Sequence, residues 1–168
     1  MSATDVARCL VQLSASEPEP DLLTLSRLQK LLYYAQAWHL ALFDVPLFPE
    51  RIDAGKDGPV IREIAEEFAD CAAGQITPER AGVPTLSADA KKYIKRFWEG
   101  YKSYSVSKLH EMVGEESPWR NARANFLPNE LIGDELTQET LRAFFKSKLI
   151  PGLDPLKCWE EESEGAYR

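Results

Sequence analysis

Residues 28–41 of the chain decide the fold, and they read Leu28-Gln-Lys-Leu-Leu-Tyr-Tyr-Ala-Gln-Ala-Trp-His-Leu-Ala41. Apolar side chains recur at helical spacing through and around this segment, at Leu25, Leu28, Leu31, Leu32, Ala35, Trp38 and Leu42. Such a stripe, about five turns long, predicts one long amphipathic helix at the centre of the core. Thr24 or Ser26 can cap its start, and Asp44-Val-Pro ends it.

Polar and aromatic residues flank that stripe and predict a solvent-facing side of the helix. Gln29 and Lys30 are expected on that side. Tyr33 and Tyr34 are adjacent, and consecutive helical residues point about 100° apart, so we expect that they do not both face fully inward. These tyrosines, Trp38 and the later Trp119 are either core residues or aromatic anchors for a partner, the residue class that dominates interface hot spots.

The remaining elements are mostly helical as well. Helices are predicted from Thr4 (as N-cap) to about residue 15, from Pro59 to about residue 73, from Ser87 to 101, over 105–113, from Ser117 onward, and from Thr137 to about 149. Residues 47–57 predict an extended connector, 75–87 a long loop, and 131–136 a short strand or turn. The chain is therefore predicted to be mainly α, a compact single-domain bundle of about six or seven helices with at most a short strand pair. Residues 1–150 form the predicted domain, and 151–168 an acidic C-terminal tail.

Composition narrows the class of protein. The chain has 168 residues and a net charge of −7, which disfavours nonspecific binding to nucleic acid. It has no signal-peptide pattern and no apolar run of roughly 18 residues, so we expect a cytoplasmic protein without membrane contact. Its three cysteines, at distant positions, predict reduced thiols and not a disulfide framework.

One window departs from this acidic average. Between Asp89 and Lys108 the chain has six cations, at Lys91, Lys92, Lys95, Arg96, Lys102 and Lys108, against two anions. The window is either a solvated helix face or a docking patch for an acidic partner.

The residue patterns of common catalytic sites are missing from the sequence. His39 and His110 have no ligand partners at metal-binding spacing, and neither phosphate-binding glycine loops nor a nucleophile elbow occur. Paired acids such as Glu66-Glu67 are typical of charged helix faces. We therefore predict no catalytic residues, no metal and no cofactor.

Three segments together resemble the Panacea domain of the SocA-like antitoxin family. They are residues 28–41, Ile52-Asp-Ala-Gly-Lys-Asp-Gly-Pro-Val-Ile61 and Glu116-Ser-Pro-Trp-Arg120. The resemblance extends from about Asp5 to Leu149, and the first segment is its specific part. The chain departs from the usual family pattern at Gly55, Asp57 and Val113-Gly114.

The resemblance implies an antitoxin that binds and neutralises a cognate toxin protein. It also implies an adaptor mechanism, in which the antitoxin contacts the ClpX unfoldase and delivers the toxin to the ClpXP protease. The candidate partner-binding residues are Gln29, Lys30, Tyr33, Tyr34, Trp38, His39, Lys56, Asp57, Val60, Trp119 and Arg120. Backbone N–H groups at 60–62, at the predicted helix N-terminus, could receive a partner carboxylate if they stay exposed. The alternative is a nucleic-acid-binding transcriptional regulator that uses the basic 91–108 helix.

Overall fold

The computed structural model describes residues 1–152 of the chain. Within this range a mainly helical architecture is confirmed, with eight α-helices, one short 3-10 helix (Ala69–Cys71) and three strands. The helices are α1 (Ala3–Ala15), α2 (Leu25–Phe43), α3 (Arg62–Glu67), α4 (Pro78–Ala81), α5 (Ala88–Tyr101), α6 (Val106–Glu115), α7 (Ser117–Arg123) and α8 (Gln138–Ser147). The strands are β1 (Asp53–Gly55), β2 (Gly58–Val60) and β3 (Ile132–Glu135).

Helix α2 is the central element of the domain. It packs against α1, α5, α6, α8 and β2, and 14 of its 19 residues are buried. The predicted solvent-facing side is therefore wrong: Gln29 and Lys30 are buried, and Tyr33 and Tyr34 are 0% and 1% exposed. Two adjacent helical residues can both be buried here because neighbouring elements surround α2 on several sides.

Side-chain caps fix where most of the helices begin. As predicted, Thr24, Ser87, Ser105 and Thr137 each accept a backbone N–H at the start of a helix. The predicted cap at Thr4 is wrong. Ser2 caps α1 instead, because its hydroxyl accepts from the Asp5 N–H while the Asp5 carboxylate accepts from the Ser2 N–H.

The three strands form one small antiparallel sheet in the order β2-β1-β3. Strands β1 and β2 form a hairpin, joined by the two-residue turn Lys56-Asp57. Gly55 permits this hairpin because a Cβ there would lie 2.6 Å from the Gly58 carbonyl oxygen. Gly58 has a φ of 128°, which favours glycine. The sheet exceeds the predicted strand pair by one strand, and β3 confirms the strand alternative for residues 131–136.

The helix predicted to start at Pro59 begins three residues later, at Arg62. Pro59 lies in β2, an edge strand, where a residue without an N–H is tolerated as well as in a first helical turn. The proline therefore did not discriminate between the two structures. The predicted helix also ends early, at Glu67, and the predicted loop 75–87 contains α4.

Candidate functional site

The three segments that carry the family resemblance meet at the β1–β2 hairpin. Helix α2 contributes the first segment, the hairpin the second, and α7 the third. We call the surface that they form with α6 the hairpin face, and define it by Lys30, Lys56, Asp57, Val60, His110 and Trp119.

Gln29 fixes the backbone at residue 61, where the chain leaves strand β2 of the hairpin. Its Nε2 donates to the Ile61 carbonyl oxygen at 3.1 Å, and its Oε1 accepts from the Ile61 N–H at 2.9 Å. Both groups are buried, so this side chain satisfies a donor and an acceptor that water does not reach. The pair of bonds keeps residue 61 extended just before α3 begins.

Two side chains of α7 donate hydrogen bonds to the backbone of strand β1. Trp119 Nε1 donates to the Gly55 carbonyl oxygen at 3.0 Å. Arg123, which is buried, donates to the Ala54 carbonyl oxygen at 3.2 Å and to the Leu127 and Glu130 carbonyl oxygens. Arg123 was not among the predicted site residues, because the sequence shows it only as a cation in the last turn of a short helix.

The tip of the hairpin faces solvent. Lys56 and Asp57 are exposed, and their side chains approach each other only to 4.0 Å. The backbone of the tip is nevertheless fixed, because the Lys56 N–H donates to the Leu131 carbonyl oxygen at 3.0 Å and His110 Nδ1 lies 3.2 Å from the Asp57 carbonyl oxygen. The tip thus presents charged side chains on a backbone that hydrogen bonds keep in place. His110 was predicted only as an unsuitable metal ligand, and its contact with Asp57 depends on tertiary structure.

Lys30 lies beneath this tip and is only 4% exposed. Its Nζ donates to Ser26 Oγ at 2.9 Å, and its side chain runs along Gly58. Burial lowers the pKa of Lys30, and the negative charge of Asp57 partly offsets that effect. Lys30 borders a groove of about 320 Å³ between α2 and the hairpin, lined also by Ser26, Asp57, Gly58, Pro59, Val60 and Leu131.

A buried hydrogen bond links the first and third segments under the hairpin face. The Tyr34 hydroxyl donates to Glu116 Oε1 at 2.6 Å, and Lys148 Nζ lies 3.5 Å from Glu116 Oε2. Burial and the Glu116 charge raise the pKa of Tyr34 well above its ordinary value. The Tyr33 hydroxyl is also buried, but it has no hydrogen-bond partner among residues 1–152.

The predicted partner-binding residues therefore divide into two groups. Gln29, Lys30, Tyr33, Tyr34 and Trp38 are buried; all but Lys30, which borders the groove, build the core beneath the hairpin face. Partly or fully accessible are His39, Lys56, Asp57, Val60, Trp119 and Arg120. His39 does not belong to the hairpin face: it lies near the other end of α2, with ring centroids 4.8 Å from Phe43 and 4.9 Å from Tyr93.

The accessible positive charge of the basic window, residues 89–108, is less uniform than the sequence indicates. Lys102 pairs with Glu17 and Glu99, and Lys108 pairs with Glu111. Within residues 1–152, Lys91, Lys92 and Lys95 are exposed and form no ion pair, so the accessible positive charge is concentrated along part of α5.

The described part of the chain, residues 1–152, lacks two other kinds of feature. In that range no cluster of three or more His, Cys, Asp or Glu residues could hold a metal ion, and no helix is long and apolar enough to cross a membrane. Cys9 and Cys71 are free thiols, and Cys158 lies outside the described residues.

Comparison with known proteins identifies one protein family. A family model described as "Antitoxin SocA-like, Panacea domain" matches residues 28–120, which is more than half of the chain. The matched range begins in α2, contains the hairpin and ends in α7, so it covers the three segments that meet at the hairpin face. No curated protein and no solved structure matched the chain.

Proposed function

The chain belongs to the antitoxin SocA-like family with the Panacea domain, and from that membership we propose that it binds and neutralises a cognate toxin protein. The main support for this proposal is the position of the matched range within the fold. The family match coincides with the elements that build and hold the hairpin face.

We propose the hairpin face as the toxin-binding surface. Its tip offers exposed charged groups of both signs, and Val60 and Trp119 add partly accessible apolar area beside them. The hydrogen bonds from Gln29, Trp119 and Arg123 fix the backbone of this surface before a partner arrives. A fixed surface loses little conformational entropy on binding, which favours affinity.

Co-expression with the product of the neighbouring gene tests this proposal. The proposal expects that a tag on one protein recovers both in a stable complex, and that the neighbour alone arrests growth. A neighbour that is harmless, or that does not co-purify, would count against toxin neutralisation. Because interface energy concentrates in few residues, single changes on the hairpin face should weaken recovery strongly.

The adaptor mechanism is a finer proposal, in which the toxin is delivered to ClpXP. It requires a second surface for the ClpX unfoldase, remote from the first. The basic face of α5 could supply it, with the exposed lysines Lys91, Lys92 and Lys95. Residues 151–168 could also supply it; of these, 153–168 lie outside the described residues, and their sequence is acidic and contains Trp159. Deletion of residues 151–168 should abolish toxin degradation by reconstituted ClpXP if that segment contacts ClpX, and unchanged degradation would exclude it.

We further propose that residues 1–150 act as one domain in the cytoplasm, without a cofactor and without enzymatic activity. The support is the antitoxin family, whose role is binding, together with a core shared by the helices. Retention of the complex after removal of residues 151–168 would support the domain assignment.

A transcriptional regulator that binds nucleic acid through the basic 91–108 helix is the alternative proposal. Of the six cations in this window, Lys102 and Lys108 pair with carboxylates of the chain itself, which reduces the charge available for phosphates. The alternative expects DNA binding that falls steeply with salt. Absence of any shift at about 50 mM salt, a concentration that favours phosphate contacts, would remove it.

A further inference from the structure

Lys30 is a buried cation without a matching carboxylate. Among residues 1–152 it forms no ion pair, although its side chain is almost fully enclosed. Its Nζ has three N–H donors, and its hydrogen bonds go to Ser26, at 2.9 Å to Oγ and 3.4 Å to the carbonyl oxygen. A buried charge is costly unless it is paired, so the position calls for a partner group.

The surroundings of Lys30 leave space for such a group. The groove of about 320 Å³ opens beside it, between α2 and the hairpin. Gly58 has no side chain to close the groove over the ammonium: a Cβ there would lie 3.4 Å from Lys30 Nζ. Pro59, Val60 and Leu131 line part of the groove and exclude water from one side of an occupant.

The charges at the groove define what can enter it. Lys30 and Lys56 are positive, and Asp57 at the rim is negative, which leaves a small net positive charge. The donors that converge are one ammonium and one hydroxyl, from Lys30 and Ser26. A singly charged carboxylate matches this set, because its two oxygens need few donors and Asp57 repels it less than it would a doubly charged phosphate.

We propose that Lys30 and Ser26 form a receptor site for one carboxylate of a partner protein, which enters the groove between α2 and β2. The proposal rests on the proposed function for the identity of the partner, and it adds the chemical class of its contacting group. Bound there, the carboxylate completes the counter-charge that Asp57, which forms no ion pair with Lys30, supplies only in part.

Substitution Lys30→Met in the full-length chain separates this role from a structural one. Methionine keeps most of the side-chain length and removes the charge, so the urea midpoint should stay the same or rise, because an apolar group costs less to bury than an unpaired charge. Affinity for the product of the neighbouring gene should fall at least about tenfold, the equivalent of one charge-assisted hydrogen bond. Lys95→Met, at an exposed site of α5, is the matched control and should change neither quantity.

An NMR titration with sodium acetate tests the site without the toxin. Acetate should shift the amide signals of Ser26, Lys30 and Gly58 in the wild-type chain but not in Lys30→Met, and sodium chloride at equal ionic strength should not reproduce the shifts. Absence of acetate shifts, or equal shifts with chloride, would overturn the carboxylate site.

The two experiments also distinguish the two proposals. If the neighbour fails to bind the wild-type chain, the proposed function fails, while the acetate result still decides the site. If the neighbour binds wild type and Lys30→Met equally well, the receptor site is overturned and the proposed function stands.

Discussion

The Tyr34 hydroxyl donates a 2.6 Å hydrogen bond to Glu116 Oε1 in the core of the domain. The two residues are 82 positions apart in sequence, and they belong to the first and third segments that build the hairpin face. The bond therefore ties α2 to the start of α7, on which Trp119 lies. We therefore expect loss of this hydrogen bond to affect the whole hairpin face, although neither Tyr34 nor Glu116 is exposed there.

Replacement of Tyr34 by phenylalanine removes this donor from a buried carboxylate. A buried charged acceptor that loses a partner costs on the order of 1–3 kcal/mol. We expect the free energy of unfolding of Tyr34→Phe to fall by about that amount, measured by urea denaturation with circular dichroism.

Tyr33 provides the matched control for that substitution. Its hydroxyl is equally buried, but it has no hydrogen-bond partner within residues 1–152. Tyr33→Phe removes an unsatisfied polar group and should leave stability unchanged or raise it. A loss of stability in Tyr33→Phe as large as in Tyr34→Phe would contradict the assigned role of the Tyr34–Glu116 bond.

Gln29 should stabilise the backbone at residue 61, where the chain leaves the hairpin. In Gln29→Met the Ile61 N–H and carbonyl oxygen both lose their buried partner. We expect a loss of roughly 2–6 kcal/mol, because each of the two orphaned groups costs about 1–3 kcal/mol. Hydrogen exchange should also accelerate at the Ile61 amide. Gln75→Met, at an exposed position, should show neither effect.

The sequence was sufficient to predict the helices whose limits depend on local chemistry. Ser87, Ser105 and Thr137 cap helices as expected, because a cap uses only residues within one turn. Pro59 misled the prediction because an edge strand and a helix start tolerate proline equally. The three-residue strands escaped prediction because they are too short to show an alternating pattern.

The candidate site was less predictable from sequence, because its polar residues indicated solvent exposure at positions that are buried. Gln29 and Lys30 interrupt an apolar stripe, which normally indicates solvent, yet both are buried because the hairpin covers them. Arg123 and His110 contact backbone oxygens more than 50 residues away in sequence, at Ala54 and Asp57. Contacts of this kind depend on the tertiary arrangement and leave no local pattern.

His39 should make stability depend on pH. Burial lowers its pKa in the folded chain, and the hydrogen bond to the Val45 carbonyl oxygen offsets this only in part. The unfolded chain then binds a proton more readily than the folded chain below about pH 6.5, so this residue destabilises the fold as pH falls through that value.

Comparison of wild type with His39→Gln isolates this effect. Between pH 7.5 and 5.5, we expect the free energy of unfolding to decrease more in wild type than in His39→Gln. An equal pH dependence in the two proteins would show that His39 does not contribute.

The exposed tip of the hairpin should affect binding without affecting the fold. Lys56 and Asp57 face solvent, and exchanging their charges in Lys56→Glu/Asp57→Lys should change stability by less than about 0.5 kcal/mol. Reversed charges would oppose the complementary charges of a partner, so recovery of the neighbouring gene product should fall. Glu79→Lys in α4, at an exposed position outside the hairpin face, is the control for a general effect of surface charge.

Growth rescue is the most direct measurement of the central claim, that this chain neutralises a toxin through the hairpin face. The neighbouring gene is induced in a heterologous bacterial host, alone and together with wild type, Lys56→Glu/Asp57→Lys or the α4 control Glu79→Lys. We expect growth arrest by the neighbour alone, rescue by wild type and by the α4 control, and loss of rescue with the hairpin variant at equal protein level. Rescue by the hairpin variant as complete as by wild type would contradict the assigned surface, and arrest that wild type does not relieve would contradict the antitoxin function.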